Sequence, residues 1–310
     1  MLFYTGILNT HLNTGLNASL NTRLNTSKHN HTYFKSLPNW IKYIMKKILT
    51  IAGSDTSGGA GIQADLRTFA KHNLFGMSAL TVIVTMDPNN GWAHSVFPIE
   101  LSTIEHQIDT ALIGVGADTI KTGMLPTPEI IALVASRLDA YIGKLPIVID
   151  PVMVCKGDKP LFPEHADAIR VNLIKYATVA TPNLFEAAQL AQMPVLTSLE
   201  DAKNAAVKIH QAGAKNVVIK LVGTLCSPQT SADLYFDGEN FSILEGKLIN
   251  TSHTHGVGCT FASHIAANLC KGLDPKTSCL NAKDAVSKGL MHHFSLNEYV
   301  GTLDFEKSFE

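Results

Sequence analysis

Three segments of this chain repeat one local grammar: a short apolar run, an abrupt polar or proline stop, and a helix start. In KKILTIAGSDTSGGAGIQADLRTF (46–69), Ile48 to Ala52 reads as a buried strand, followed by a Gly/Ser/Asp loop and a helix from about Ala60. In LPIVIDP (145–151) the strand ends in Asp150, where Pro151 stops it. In ATVATPNLFEA (177–187) it ends in Thr181, Pro182 and Asn183, with Glu186 three residues further on. Continuously apolar strands alternating with helices need a parallel sheet covered on both faces. The expected fold is therefore α/β, with a central, mostly parallel, doubly wound sheet flanked by helices on both faces. Such sheets place ligands at the carboxyl ends of their strands.

Apolar runs and turn signals set the expected elements. Strands are expected at 48–52, 79–85, 118–121, 146–150, 177–181 and 216–221. Helices are expected at 60–72, 101–113, 127–139, 164–175, 184–191, 199–212, 260–271 and 280–294. Residues 232–236 and 241–245, separated by Asp237-Gly238-Glu239-Asn240, read as a hairpin. Charged residues make up 16% and hydrophobic residues 45%, which suits a buried parallel sheet.

The segment THGVGCT (254–260) adds chemistry to this frame. Gly256, Val257, Gly258 and Cys259 lead into a helical pattern in which Phe261, Ile265 and Leu269 recur. A glycine-spaced loop at a helix N-terminus offers free N–H groups to an anion. The same place lowers a thiol pKa, so Cys259 is a candidate thiolate or base, although plain helix capping fits the segment equally. In the first loop Asp55 and Gln63 are the polar groups suited to a small heteroaromatic substrate, while composition alone reads Gln63 as an exposed helix residue. Asp150 and Glu186 are candidate partners for Mg²⁺, held directly or through water. Asn183 and Glu186 also fit a helix-capping box, and the two readings are compatible.

In AGSDTSGGAGIQADLRTF, KTGML, DPVMVCKG, TPNLFEA and THGVGCTF the chain resembles the ribokinase superfamily. More narrowly it resembles the branch that phosphorylates hydroxymethylpyrimidine and B6 vitamers. VTMDPNNGWAHSVFPI (84–99), VMVCKGD (152–158) and NEYVG (297–301) tilt the match toward the pyridoxal kinases of Gram-positive bacteria that carry two functional cysteines. The resemblance covers residues 45 to about 303.

The resemblance implies a phosphotransferase acting on an alcohol group, with ATP and Mg²⁺ as cofactors. It implies that Cys259 replaces the aspartate base of most of the superfamily, and that N–H groups from Gly256 to Cys259 form an anion hole. Gln63 would bond the substrate ring, with Gly53 and Asp55 nearby. Cys155, on a mobile lid, would add to an aldehyde. Asp150 and Glu186 would hold Mg²⁺ through water, supported by Asn183. Lys220, in VVIK, matches a lysine before the nucleotide loop. Relatives follow that lysine with a glycine pair, whereas Leu221 and Val222 stand here, leaving Gly223 and Thr224 to take over the ATP contact. The expected partner is a small molecule, a B6 vitamer or hydroxymethylpyrimidine, in a cytoplasmic homodimer. Hydroxymethylpyrimidine kinase and a non-catalytic binder remain the alternatives.

A formal net charge of −1 gives no electrostatic reason to expect nucleic acid or an anionic membrane. Five cysteines without CxxC spacing argue against a disulfide framework or zinc site, and free thiols suit a reducing cytosol. Cys226, Cys270 and Cys279 read as packing or surface residues. Residues 1–44 differ in kind: Leu8, Leu12, Leu16, Leu20 and Leu24 are each followed by Asn, and no acidic residue precedes Asp55. They read as a low-complexity, disordered and dispensable extension, with 45–310 as the kinase domain. No run of about 20 apolar residues predicts a membrane span.

Overall fold

The structure, a computed structural model, describes residues 45–153, 163–225 and 230–309. The expected extension, and Cys155 and Cys226, lie outside these residues. Nine strands form one sheet in the order β3-β2-β1-β4-β5-β6-β7-β8-β9. They are β1 (Lys47–Asp55), β2 (Phe75–Asp87), β3 (Ala93–Pro98), β4 (Thr119–Thr122), β5 (Ile147–Ile149), β6 (Val179–Ala180), β7 (Val217–Ile219), β8 (Thr230–Phe236) and β9 (Phe241–Lys247). The pairings from β2 through β1 and β4 to β7 are parallel, and β3, β8 and β9 run antiparallel at the two edges.

Alternation along the central strands decides what lies on each face. Val148, Val179 and Val218 point into one apolar cluster with Phe69, Phe261 and Ile265. Their neighbours Ile147, Ile149, Ala180, Val217 and Ile219 point into the other. A period of two can do this only if both faces are covered. Helices α1 (Gly61–Lys71), α7 (Val257–Cys270) and α8 (Pro275–Met291) cover the first face. Helices α2 (Leu101–Asp109), α3 (Pro128–Leu138), α4 (Pro163–Ala168), α5 (Leu184–Leu190) and α6 (Leu199–Gln211) cover the second. Each fully buried Leu, Ile or Phe contributes about 1.5–3 kcal/mol relative to an exposed one, which drives this two-sided closure. From Thr260 to Cys270 every residue of α7 is buried. A helix buried on every side belongs in the interior, and its polar residues find partners there, as Ser263 does on Asp65 at 2.6 Å.

Three expectations need correction. Strand β3 was not expected; its mostly exposed residues leave no alternation to read. Helix α8 begins at Pro275, where Asp274 accepts from Thr277 N at 2.9 Å, five residues before the expected start. Helix α7 starts at Val257 rather than Thr260, which puts Cys259 inside its first turn. Cys270 and Cys279 are buried and free, as packing residues should be.

Candidate active site

The chain turns back on itself between β1 and β4, which neighbour each other although β2 and β3 intervene in sequence. A cavity of about 390 Å³ opens there, lined from the ends of β1, β2, β4, β5, β6 and β7 and from the start of α7. Of the expected site residues, Gly53, Asp55, Asp150, Asn183, Glu186, Lys220, Gly256, Gly258 and Cys259 line it. Gln63, Val257 and Gly223 do not. Met86, His94, Lys121 and His255 line it as well and were not singled out from sequence.

Two loops interlock at its mouth. His255 Nε2 and Asp55 Oδ2 lie 2.6 Å apart, and Asp55 also accepts from Ala60 N at 2.8 Å and Ser57 N at 2.9 Å. Burial works to raise the Asp55 pKa, but the hydrogen bond and charge of His255, with Ser57, hold it below the ordinary value. Asp55 is therefore committed to joining the loops. Gln63 is committed too: its Oε1 accepts from Asp55 N at 3.1 Å and its Nε2 donates to Ser54 Oγ at 2.8 Å. In the ligand-free protein Gln63 thus supports the end of β1. Gly256 caps α7 at φ 72°, and a Cβ there would collide with the Gly59 carbonyl oxygen. Only glycine lets the loops approach this closely.

Cys259 is half-buried in the first turn of α7. Desolvation pushes its thiol up to about 11, against the opposing charge of Lys121 and the Gly61 backbone N–H. The expected lowering at a helix N-terminus is thus overturned in the ligand-free cavity, because burial among Asp65 and Asp150 outweighs it. The N–H groups of a helix's first turn have no intrahelical acceptors and suit an anion. Val257 N is turned back to Thr254 O at 3.4 Å, which leaves Gly258 and Cys259 as the donors that line the cavity.

Beside Gly258, Lys220 Nζ donates to Asp150 Oδ1 at 3.2 Å, and Thr181 Oγ1 donates to the same oxygen at 3.0 Å. The Asn183–Glu186 capping box forms: Asn183 Oδ1 accepts from Glu186 N at 2.9 Å, and Glu186 Oε2 accepts from Asn183 N at 2.8 Å. Burial, opposed by Lys220 and reinforced by Asp150, pushes the Glu186 carboxyl up to about 7. Two adjacent carboxylates at one wall supply the hard oxygen donors that Mg²⁺ prefers, and a cation there would relieve the charge conflict at Glu186. The donor set fits the metal. Because the folded pKa stands above the ordinary 4.5, this group's stabilising contribution is full below pH 4.5 and lost as pH rises through about 7. A Mg²⁺ ion held here would compete with that proton, so its thermal stabilisation should grow between about pH 6 and pH 8. Glu186→Gln should flatten the growth; an equal Mg²⁺ effect at both pH values in the unmodified protein would exclude Glu186 as the proton-linked ligand.

The departure after Lys220 has a structural consequence. Leu221 adopts φ 60°, the left-handed region where glycine is relaxed, and its side chain is 47% exposed. Its N–H donates to Asp233 Oδ1 at 2.8 Å, and its carbonyl accepts from Thr224 Oγ1 at 2.7 Å, which pins the turn. Gly223 is buried and does not line this cavity. Leu221→Gly should relieve about 1–2 kcal/mol of backbone strain, less the roughly 0.5–1 kcal/mol of added freedom in the unfolded chain. A small rise in Tm is expected, with none for Leu221→Ala, which keeps the strain; equal Tm values for the Gly and Ala variants would show that the turn is unstrained.

A doubly wound sheet with a cation–carboxylate wall facing a helix N-terminus defines an α/β enzyme of phosphoryl-transfer type. The chain belongs to the phosphomethylpyrimidine kinase family, which it matches over residues 55–304, within the ribokinase superfamily. It is 52% identical over 258 residues to a pyridoxine kinase of Bacillus subtilis, covering 83% of this chain and 94% of that one. Its fold matches an ADP complex of Bacillus subtilis pyridoxal kinase with TM-score 0.81 and 50% identity, over 85% of this chain and 98% of that one. It also matches the Staphylococcus aureus pyridoxal kinase in complex with AMP-PCP and pyridoxal, with TM-score 0.79 and 44% identity, over 86% and 95% of the two chains.

Proposed function

We propose that this chain is an ATP-dependent kinase that phosphorylates the 5′-hydroxymethyl group of pyridoxal, pyridoxine and pyridoxamine. The observation that carries the reading is the single cavity in which Cys259 and the first-turn donors of α7 share walls with Asp150, Glu186 and Lys220. Phosphoryl transfer asks a protein for positioning, charge stabilisation and one acceptor for the hydroxyl proton. Cys259 Sγ, as the thiolate, takes that proton while the hydroxyl oxygen bonds to the γ-phosphorus and the bond to the ADP oxygen breaks. The N–H groups of Gly258 and Cys259 stabilise charge on the moving group, and Lys220, whose Nζ lies beside Gly258, adds positive charge there. Asp150 and Glu186 would hold Mg²⁺, which when bound would supply charge neutralisation at the phosphates. Cys155, outside the described residues, is proposed to trap the pyridoxal aldehyde on the strength of the motif resemblance. The relatives' names, pyridoxine kinase and pyridoxal kinase, support the B6 vitamers as substrates.

The family's own description favours a second reading, a kinase of hydroxymethylpyrimidine or its phosphate. Comparing kcat/KM for pyridoxal and hydroxymethylpyrimidine separates the two. Pyridoxal is expected to be preferred; a tenfold preference for the pyrimidine, about 1.4 kcal/mol in the transition state, would reverse the assignment.

A further inference from the structure

An ion pair that none of the roles above uses lies under the cavity. Lys121 Nζ, on β4, donates to Asp65 Oδ2, on α1, at 2.9 Å, and neither side chain is exposed. Thr50 Oγ1 donates to the same oxygen and Ser263 Oγ to the other, each at 2.6 Å. Ser263 follows Cys259 by four residues on α7, so the two share one helix face a turn apart. Lys121 reaches the cavity wall that Cys259 also lines. A buried ion pair adds little stability over a well-packed apolar pair. It does fix a positive charge in a dry place.

We propose that Lys121 is a positioning residue for the transfer: its ammonium, pinned by Asp65, which Thr50 and Ser263 hold in turn, stabilises the thiolate of Cys259. The inference rests on the reading of Cys259 as proton acceptor. Four charged groups face the sulfur: Lys121 from β4, Asp65 from α1, Asp150 beyond β5 and Lys220 beyond β7. Burial and the two carboxylates disfavour the thiolate, and Lys121 is the leading influence in its favour. Burial would also strip the proton from Lys121, but Asp65 foremost, with Cys259 and Asp150, keeps it charged. During transfer the hydroxyl proton goes to Sγ and neutralises the thiolate. The negative charge passes to the phosphoryl group, and Lys121 keeps its proton throughout.

Alkylation of Cys259 by iodoacetamide tests this in the full chain without nucleotide or metal, followed by mass spectrometry of the peptide that carries it. At fixed pH the rate reports the thiolate fraction, and a tenfold change corresponds to one pH unit of midpoint. Asp65→Asn, which leaves Lys121 with the sulfur as its main counter-charge, should speed alkylation by roughly tenfold. Adding Lys121→Met to that variant should slow Cys259 below the unmodified protein, a reversal that general loosening of the fold would not produce. A double variant as fast as Asp65→Asn overturns the proposal. If the double variant fails to fold, Lys121→Met alone decides: alkylation slower than in the unmodified protein, which loosening would not produce, supports the pairing, and equal or faster alkylation sinks it. The base reading fails separately, by retained turnover in Cys259→Ala, and that result with the alkylation order intact still upholds the charge pairing.

Discussion

Cys259→Ala is expected to lower kcat by on the order of 10²–10⁴-fold, the usual contribution of a general base. At 1.36 kcal/mol per factor of ten this is about 3–5 kcal/mol of lost transition-state stabilisation. The change removes the sulfur but leaves the N–H groups of Gly258 and Cys259 where α7 holds them, so nucleotide affinity should stay nearly unchanged. Burial of the thiol gives the pH profile a clear signature. With the pKa pushed up to about 11 in the ligand-free cavity, the thiolate is a minor species at neutral pH, and kcat/KM should climb as pH rises through 7 to 9. Cys259→Asp should recover part of the rate and shift that climb to lower pH, since a carboxylate ionises well below a thiol. Near-normal kcat in Cys259→Ala would leave Cys259 as a packing residue and place the base elsewhere.

Gly256→Ala is expected to be the most damaging single change to stability at the site. Its φ of 72° costs an alanine about 1–2 kcal/mol, and driving a Cβ into the Gly59 carbonyl oxygen adds about 1–3 kcal/mol. Together these amount to a drop in Tm on the order of 10 °C. Gly258→Ala is the matched control. A Cβ there would sit 3.6 Å from Lys220 Nζ, an ordinary contact, so the protein should fold normally yet lose activity as the methyl enters the cavity. Thermal melts of both variants test this, and an unchanged Tm for Gly256→Ala would mean that the two loops need not interlock.

Most of the parallel sheet was legible because doubly buried strands such as Ile147–Ile149 leave an unbroken apolar run that solvent-facing strands lack. The edge strand Ala93–Pro98 left no such trace, since nearly every residue on it is exposed. The candidate site was legible where an element's end coincided with an unusual residue, as at Asp150 after β5 and at Cys259 in the first turn of α7. Gln63 and Asp55 were harder: both line up with the loop in sequence, but their hydrogen bonds are taken by Ser54, by backbone N–H groups and by His255, a partner 200 residues away. Lys121 was invisible for the same reason. Its counter-ion Asp65 stands 56 residues away, and only the folded chain brings both under Cys259. The raised thiol pKa was also out of reach, because a helix start predicts lowering and only the surrounding burial reverses it.

Conversion of pyridoxal with Mg·ATP, followed by the absorbance of the phosphorylated product and by ADP release, bears most directly on the assignment of function. A B6 vitamer kinase yields the 5′-phosphate and ADP in equal amounts, with turnover that is lost in Cys259→Ala. A protein that binds ATP and pyridoxal yet forms no product above background, with pyridoxine and pyridoxamine equally inert, would contradict it.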